Sequence, residues 1–137
     1  MKDTLKTGET HTERFEVDRE RTIDFMGDEL RIYSTPHMLR DMERTCRELI
    51  MKHAEGDEDS VGAHVSLDHM GATLLGMNVA VTAKVVDVEG PRITFEIDAH
   101  DDLEQVGRAK HVRFVINKGK QGERLKKKAE KAKTAAG

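Results

Sequence analysis

The sequence is poor in the residues that stabilise small extracellular folds or anchor proteins in membranes. Its 137 residues include one cysteine and no tryptophan. Cys46 therefore has no partner for an internal disulfide, which favours a reducing compartment. No apolar run approaches the ~18 residues of a membrane-spanning helix, and the polar first dozen residues do not form a secretory signal. We therefore expect one cytoplasmic domain with no membrane partner, held together by its own core.

Charge is distributed unevenly along the chain. Residues 118–137 contain eight Lys or Arg and two Glu, whereas the remainder contains 15 basic and 24 acidic residues. An acidic body repels phosphates, so we expect no nucleic-acid partner. The sequence predicts a single domain over residues 1–117 and a basic C-terminal tail over residues 118–137. The tail is either a solvated helix or a disordered extension, and an acidic partner or phosphate-rich ligand is its alternative role.

The segment that starts at Thr35 has the pattern of an amphipathic helix. Apolar side chains recur there at helical spacing, with charged residues in most other positions. Ser34 or Thr35 can accept hydrogen bonds from the first free N–H groups, and Pro36 fits the first turn. Gly56 supplies a stop, so we expect a helix of about five turns.

Apolar and polar residues alternate, or β-branched residues are enriched, in most of the rest of the chain. This pattern predicts strands over residues 11–17, 63–69, 78–89, 92–101 and 105–116. Because no helix separates the later strands, the sheet should be antiparallel. We expect an α+β domain in which a curved sheet of about five strands covers the long helix, with small residues such as Gly107 allowing close contact. Its exposed edge strand favours dimerisation.

Two side chains are unusual for their positions. Glu43 lies at the margin of the apolar arc of the helix, and His69 ends a strand on the same face as Val65 and Leu67. Each has a structural alternative, because the carboxylate can turn to solvent or pair with a helix arginine, and a lone histidine can be a satisfied core residue. Cys46 lies in the centre of the apolar arc, where we interpret it as a small buried hydrophobe.

Motifs for metal, nucleotide and serine-hydrolase chemistry are absent from the sequence. It contains no HExxH, CxxC, P-loop, GxGxxG or GxSxG pattern. We therefore expect no cofactor and assign no metal ligand, although a metal site assembled only in three dimensions stays open.

A set of residues at fixed spacing between about Tyr33 and Ile116 matches a known pattern. The matching positions are Ser34, Thr35, Glu43, Ser60, Val61, Gly62, His69, Gly76, Val88, Glu89, Gly90, Ala99, His100, Asp101, Val106, Gly107, His111 and Arg113. Through this set, in which no single match is decisive, the sequence resembles the fluoroacetyl-CoA thioesterase family of hot-dog-fold thioesterases.

This resemblance implies a hot-dog fold and hydrolysis of a short-chain acyl-CoA thioester to a carboxylic acid and free CoA. It assigns catalysis to Thr35, Glu43 and His69, and substrate contact to Gly62 and Arg113. It further implies a homodimer with sites at the subunit interface. We expect Glu43 to hydrogen-bond Thr35 and His69 to relay protons, with catalysis through general base action or an acyl intermediate.

The chain departs from the family pattern next to the helix start and in the preceding lid-like segment. Pro36 and His37 replace a glycine and an aromatic residue. Met26 and Glu29 occupy the positions of the lid aromatics, and Phe25 is one position out of register. A pocket without that aromatic gate favours a short acyl group other than fluoroacetyl.

Other functions are compatible with the same sequence. A non-catalytic acyl-CoA-binding module would bind CoA esters without releasing thiol. An interaction protein would lose its partner when residues 118–137 are removed, while any hydrolysis would persist. Hydratase chemistry on the same scaffold is a weaker alternative, which loss of an enoyl chromophore would reveal.

Overall fold

The long helix predicted after Ser34 is present in the computed structural model of the chain, which describes residues 1–136. This helix, α1, spans Thr35–Met51, with Ser34 as its N-cap and Pro36 in the first turn. The Ser34 side chain accepts a hydrogen bond from the His37 N–H. The predicted stop at Gly56 was wrong, because α1 ends at Met51 and Gly56 lies in a later turn with φ +54°.

Five long strands form one antiparallel sheet, which confirms the predicted α+β architecture. Its strands are β1 (Thr10–Glu16), β4 (Glu58–His69), β5 (Asn78–Glu89), β6 (Arg92–His100) and β7 (Gln105–Asn117), in the order β1-β5-β6-β7-β4. The strand predicted over residues 63–69 begins earlier, at Glu58, and its register shifts between Gly62 and His64. The irregular stretch before α1 contains two short strands, β2 (Thr22–Ile23) and β3 (Ile32–Tyr33), with a 3₁₀ helix at Asp28–Leu30 between them.

The apolar face of α1 packs against the sheet. Met38, Met42 and Cys46 are fully buried there, as the helical spacing predicted. A Cβ atom built on Gly107 of β7 would lie 2.6 Å from the Met38 sulfur. Gly107 therefore lets α1 approach the sheet closely, as expected from the sequence.

Strand β4 is at one edge of the sheet. It pairs with β7 over its whole length, with Gly62 opposite Arg113 and His69 opposite Gly107. Its other side has no strand neighbour among residues 1–136. The twelve residues of β4 therefore leave a long row of backbone groups available for pairing.

A second long helix, α2 (Lys118–Ala136), follows β7 directly. None of its side chains is buried, so of the two forms considered for the basic tail, residues 118–136 adopt the solvated helix. The division between a domain at residues 1–117 and a tail at 118–137 stays a prediction, and Gly137 lies outside the described residues. No helix in residues 1–136 is long and apolar enough to cross a membrane.

Candidate active site

Two predicted site residues meet where α1 begins and β4 ends. Thr35 is the first residue of α1 and His69 the last residue of β4. The Thr35 Oγ1 and His69 Nδ1 atoms lie 2.7 Å apart and share a hydrogen bond. When Nδ1 is unprotonated, the hydroxyl donates and the imidazole acts as its base.

An open pocket of about 400 Å³ surrounds this pair. Its lining residues are Ile23, Ile32, Tyr33, Thr35, His69, Met70, Gly71 and Ala72. Thr35 is exposed and His69 is half-buried, so a ligand in the pocket can touch both side chains. Burial lowers the pKa of His69 below 6.5, against a weaker opposing effect from the Gly71 backbone. The neutral imidazole that a base requires is therefore favoured near neutral pH.

A buried carboxylate, that of Asp41, restrains His69 indirectly through Tyr33. Asp41, on the core side of α1, accepts two hydrogen bonds from the Arg21 guanidinium, from Nε at 2.8 Å and from Nη2 at 3.0 Å. It also accepts a short hydrogen bond from the Tyr33 hydroxyl. The Tyr33 ring meets the His69 ring edge-on, with centroids 6.3 Å apart and an interplanar angle of 72°. This geometry fixes Tyr33 and limits the positions open to the imidazole.

The other three predicted residues form a second group, with Glu43 further along α1, Gly62 nearer the start of β4 and Arg113 opposite Gly62 on β7. A Cβ atom on Gly62 would lie 3.2 Å from His111 Cε1 and 3.6 Å from Arg113 Nη1, so Gly62 leaves room for both side chains. Glu43 is half-buried, and its carboxylate is near enough to His111 and Arg113 to affect the pKa of each. Glu43 has no hydrogen-bond or ion-pair partner within residues 1–136.

The Arg113 guanidinium is buried in a fixed set of hydrogen bonds. Its Nε donates to Ser60 Oγ and its Nη2 to the Ser60 carbonyl, both at 2.8 Å. His111 Nδ1 lies 2.8 Å from the His64 carbonyl, to which it donates, so its Nε2 can accept from Arg113 Nη1 at 3.2 Å. Burial lowers the pKa of both His111 and Arg113, and the Glu43 charge opposes each shift.

The two groups are separate within one chain. Glu43 is eight residues beyond Thr35 on α1, a distance of about 12 Å along the helix axis. Gly62 is seven residues before His69 on β4, or about 23 Å along the strand. The hydrogen bond expected between Glu43 and Thr35 is therefore not formed within residues 1–136. Thr35 bonds to His69 instead.

Sequence reasoning missed the network of Arg21, Tyr33 and Asp41. Asp41 follows Met38 by three residues and precedes Met42, so a charge inside the apolar arc was visible. Its partner Arg21 could not be recognised from the sequence, because Arg21 belongs to a segment without a clear period.

Cys46 is buried as expected, and burial raises the pKa of its thiol. Within residues 1–136 no three His, Cys, Asp or Glu side chains are grouped as metal ligands.

Comparison with known proteins identifies the family. A model of the fluoroacetyl-CoA-specific thioesterase family matches residues 17–119. The chain belongs to this thioesterase family. It is similar to the fluoroacetyl-CoA thioesterase of Streptantibioticus cattleyicolor, with 30% identity over 135 residues covering 93% of this chain and 97% of that protein. The predicted family and enzyme class are confirmed, and the chain is a thioesterase.

Solved structures of thioesterases share the fold. A phenylalanine-to-alanine variant of the fluoroacetyl-CoA-specific thioesterase, in complex with fluoroacetate and CoA, aligns with a TM-score of 0.77 and 30% identity over 85% of this chain and 98% of that one. A Thermus thermophilus member of the thioesterase superfamily aligns with a TM-score of 0.87 and 24% identity over 96% and 98% of the chains. The five-stranded antiparallel sheet around α1 confirms the predicted hot-dog fold.

Removing the Asp41 carboxylate is expected to destabilise the thioesterase strongly. Asp41→Ala should lower the free energy of unfolding by about 3 kcal/mol, because it leaves the Arg21 charge and the Tyr33 hydroxyl without their acceptor. Tyr33→Phe should cost only about 1 kcal/mol, because Arg21 keeps its partner. Urea denaturation measures both values. Asp87→Ala, at an exposed strand position, is the control. A loss for Asp41→Ala no larger than for this control would contradict the role of the network.

The burial of His69 and His111 predicts their titration. Both should give NMR midpoints below 6.5, because burial disfavours the imidazolium ion. As the pH falls below about 6.5, these two histidines bind protons more readily in the unfolded chain than in the folded chain. The free energy of unfolding should therefore decrease in that range. Proton NMR of the histidine Cε1–H signals tests this, with His69→Gln and His111→Gln variants for assignment. Midpoints at or above 6.5 would show that these rings are solvated.

Proposed function

We propose that this thioesterase hydrolyses a short-chain acyl-CoA thioester to a carboxylic acid and free CoA, at a site shared by two subunits of a homodimer. The observation that supports it most directly is the hydrogen bond between the Thr35 hydroxyl and the His69 imidazole inside an open pocket. A hydroxyl beside a neutral imidazole is the arrangement that nucleophile activation requires. The solved relative that holds fluoroacetate and CoA supports the substrate class.

The separation of the two groups supports a shared site. Thr35 and His69 lie at one end of β4, whereas Gly62 and Arg113, with Glu43 nearby, lie towards the other end. An antiparallel contact between two copies of β4 brings opposite ends of the strand together. The first group of one subunit then faces the second group of its partner, and a twofold dimer contains two such sites.

The spacing along β4 favours one register for this contact. If the twofold axis passes between Val65 and Ser66, Gly62 of the partner subunit lies beside His69. Glu43 of the partner subunit then approaches Thr35 from across the interface. The exposed side chain of Val61 and the half-buried Leu67 would be covered by the same contact. The outer edge of β4, which has no strand neighbour among residues 1–136, favours such pairing.

Each polar group has a role in this composite site. Neutral His69 accepts a proton, and the Glu43 carboxylate from across the interface orients the nucleophile or accepts its proton. Water, or the Thr35 hydroxyl in a covalent route, adds its oxygen to the thioester carbonyl and gives up its proton. The C–S bond then breaks and CoA leaves as a thiolate, which needs little protonation. In the covalent route, water hydrolyses the acyl-threonine in a second, equivalent step.

Backbone groups are the donors we assign to the developing oxyanion. At the start of α1, Pro36 has no N–H and the His37 N–H donates to Ser34. We therefore assign this role to the Thr35 N–H, because Thr35 lines the pocket and the helix dipole adds positive potential there. Gly62 of the partner subunit, at the irregular point of β4, supplies the second donor, and Arg113 holds that segment through Ser60.

Hydrolysis and its dependence on the three side chains can be measured together. Purified protein should release thiol from a panel of short acyl-CoA esters. His69→Ala, Thr35→Ala and Glu43→Gln should each lower kcat/KM by about 10²-fold to 10⁴-fold, because each removes a group that handles the nucleophile or its proton. Glu48→Gln on the same helix and His100→Ala on the exposed end of β6 are matched controls that should retain full activity.

Two results would contradict this proposal in different ways. Tight binding of CoA esters without thiol release would favour the non-catalytic binding module. Folded His69→Ala and Glu43→Gln proteins with full activity would leave the hydrolase and remove the proposed site. A cytoplasmic location and the absence of a cofactor stay predictions.

A further inference from the structure

Three apolar side chains form a partly exposed surface, and two of them line the pocket of the Thr35–His69 pair. Strand β2 pairs with β3, with Ile23 opposite Ile32, and an isolated bridge joins Ile32 to Leu74. Residues directly opposite one another project from the same face of a sheet. We call Ile23, Ile32 and Leu74 the apolar platform. Its members span about 10 Å across three adjacent segments.

The opposite face of this small sheet is buried, which fixes the orientation of the platform. Thr22, Tyr33 and Thr73 point into the protein and are buried. Tyr33 is held by Asp41, and Arg21, which precedes β2, is held by the same carboxylate. The platform is therefore attached rigidly to α1 through buried bonds. Ile23 nevertheless remains 45% exposed and Leu74 43% exposed.

We propose that the apolar platform binds the hydrocarbon acyl chain of the substrate, so that the enzyme prefers unsubstituted acyl groups longer than acetyl. This inference rests on the proposed function. Ile23 and Ile32 line the same pocket as Thr35 and His69. When the thioester carbonyl lies against the catalytic pair, one of its two substituents, either the acyl chain or the pantetheine arm of CoA, therefore extends over the platform.

The polarity of the pocket lining indicates whether the acyl chain or the pantetheine arm lies over the platform. The pantetheine arm contains amides, whose burial against hydrocarbon without hydrogen-bond partners is unfavourable. The pocket lining offers polar side chains only at Tyr33, Thr35 and His69, and the Tyr33 hydroxyl already donates to Asp41. No cation in this lining can pair with an acyl carboxylate. A saturated hydrocarbon chain matches this surface.

The test compares substrates of different acyl-chain length with the wild-type protein. The value of kcat/KM should rise by about twofold to fourfold for each methylene from acetyl-CoA to butanoyl-CoA and hexanoyl-CoA. Malonyl-CoA and fluoroacetyl-CoA should be poorer substrates than hexanoyl-CoA. Equal values for acetyl-CoA and hexanoyl-CoA, or a preference for malonyl-CoA, would overturn the proposal.

A variant locates the effect on the platform. Ile23→Ser should lower the ratio of kcat/KM for hexanoyl-CoA to that for acetyl-CoA by about threefold to tenfold. Leu125→Ser, at an exposed position of α2, should leave this ratio unchanged. An Ile23→Ser variant that changes both substrates by the same factor would indicate a structural role only and would overturn the proposal.

Binding measurements separate this inference from the proposed function. Non-hydrolysable S-alkyl-CoA thioethers of the same chain lengths can be titrated by calorimetry with the wild type and Ile23→Ser. Tighter binding of the longer thioethers, weakened in Ile23→Ser, would support the platform even if no ester were hydrolysed. Binding that is independent of chain length would overturn it even if every ester were hydrolysed.

Discussion

The Asp41 carboxylate joins three parts of the molecule that the sequence keeps apart. It lies on the buried side of α1, accepts two hydrogen bonds from Arg21 ahead of β2, and accepts a third from Tyr33 in β3. A buried charge is tolerated only when it is paired and hydrogen-bonded, so these contacts depend on one another. Through the Tyr33 ring, the same carboxylate limits the position of His69. The stability of the core and the geometry of the candidate site thus share one interaction.

The two edges of the sheet differ in a way that explains why one of them favours pairing. Strand β1 has seven residues, among them several charged side chains, which discourage association. Strand β4 has twelve residues and exposes Val61 and Gly62 beside the buried Arg113. In the proposed homodimer, β4 is the edge that the second subunit covers. The unpartnered Glu43 carboxylate then gains a role that it does not have within one chain.

Much of the fold was predictable because a helix or strand that buries one face has apolar residues at a regular spacing in its sequence. The helix that starts at Thr35 and the later strands follow from that period, since each packs one side against a single core. Strands β2 and β3 were not predictable, because two residues cannot show a period. The end of α1 was misplaced for a related reason, since Gly56 signals a turn but does not show where the preceding helix ends.

The site was predictable only in part. Glu43 and His69 were noticeable because a carboxylate and an imidazole are unusual beside apolar faces, and the family resemblance added Thr35, Gly62 and Arg113. Asp41 was missed because its compensation comes from Arg21, twenty residues away, and tertiary structure alone brings them together. The spacing of Glu43 and Thr35 on one helix also concealed their separation, since residues two turns apart share a face without touching.

Mixing two inactive variants tests most directly whether the site is shared between subunits. The His69→Ala and Glu43→Gln proteins are unfolded together, refolded and assayed for thiol release. Half of the dimers formed should be mixed, and each contains one site with both groups intact, so about one quarter of wild-type activity should return. A mixture of Thr35→Ala with His69→Ala, whose lesions lie in the same group, should stay inactive. Failure of the first mixture to regain activity, although mixed dimers form, would contradict the shared site.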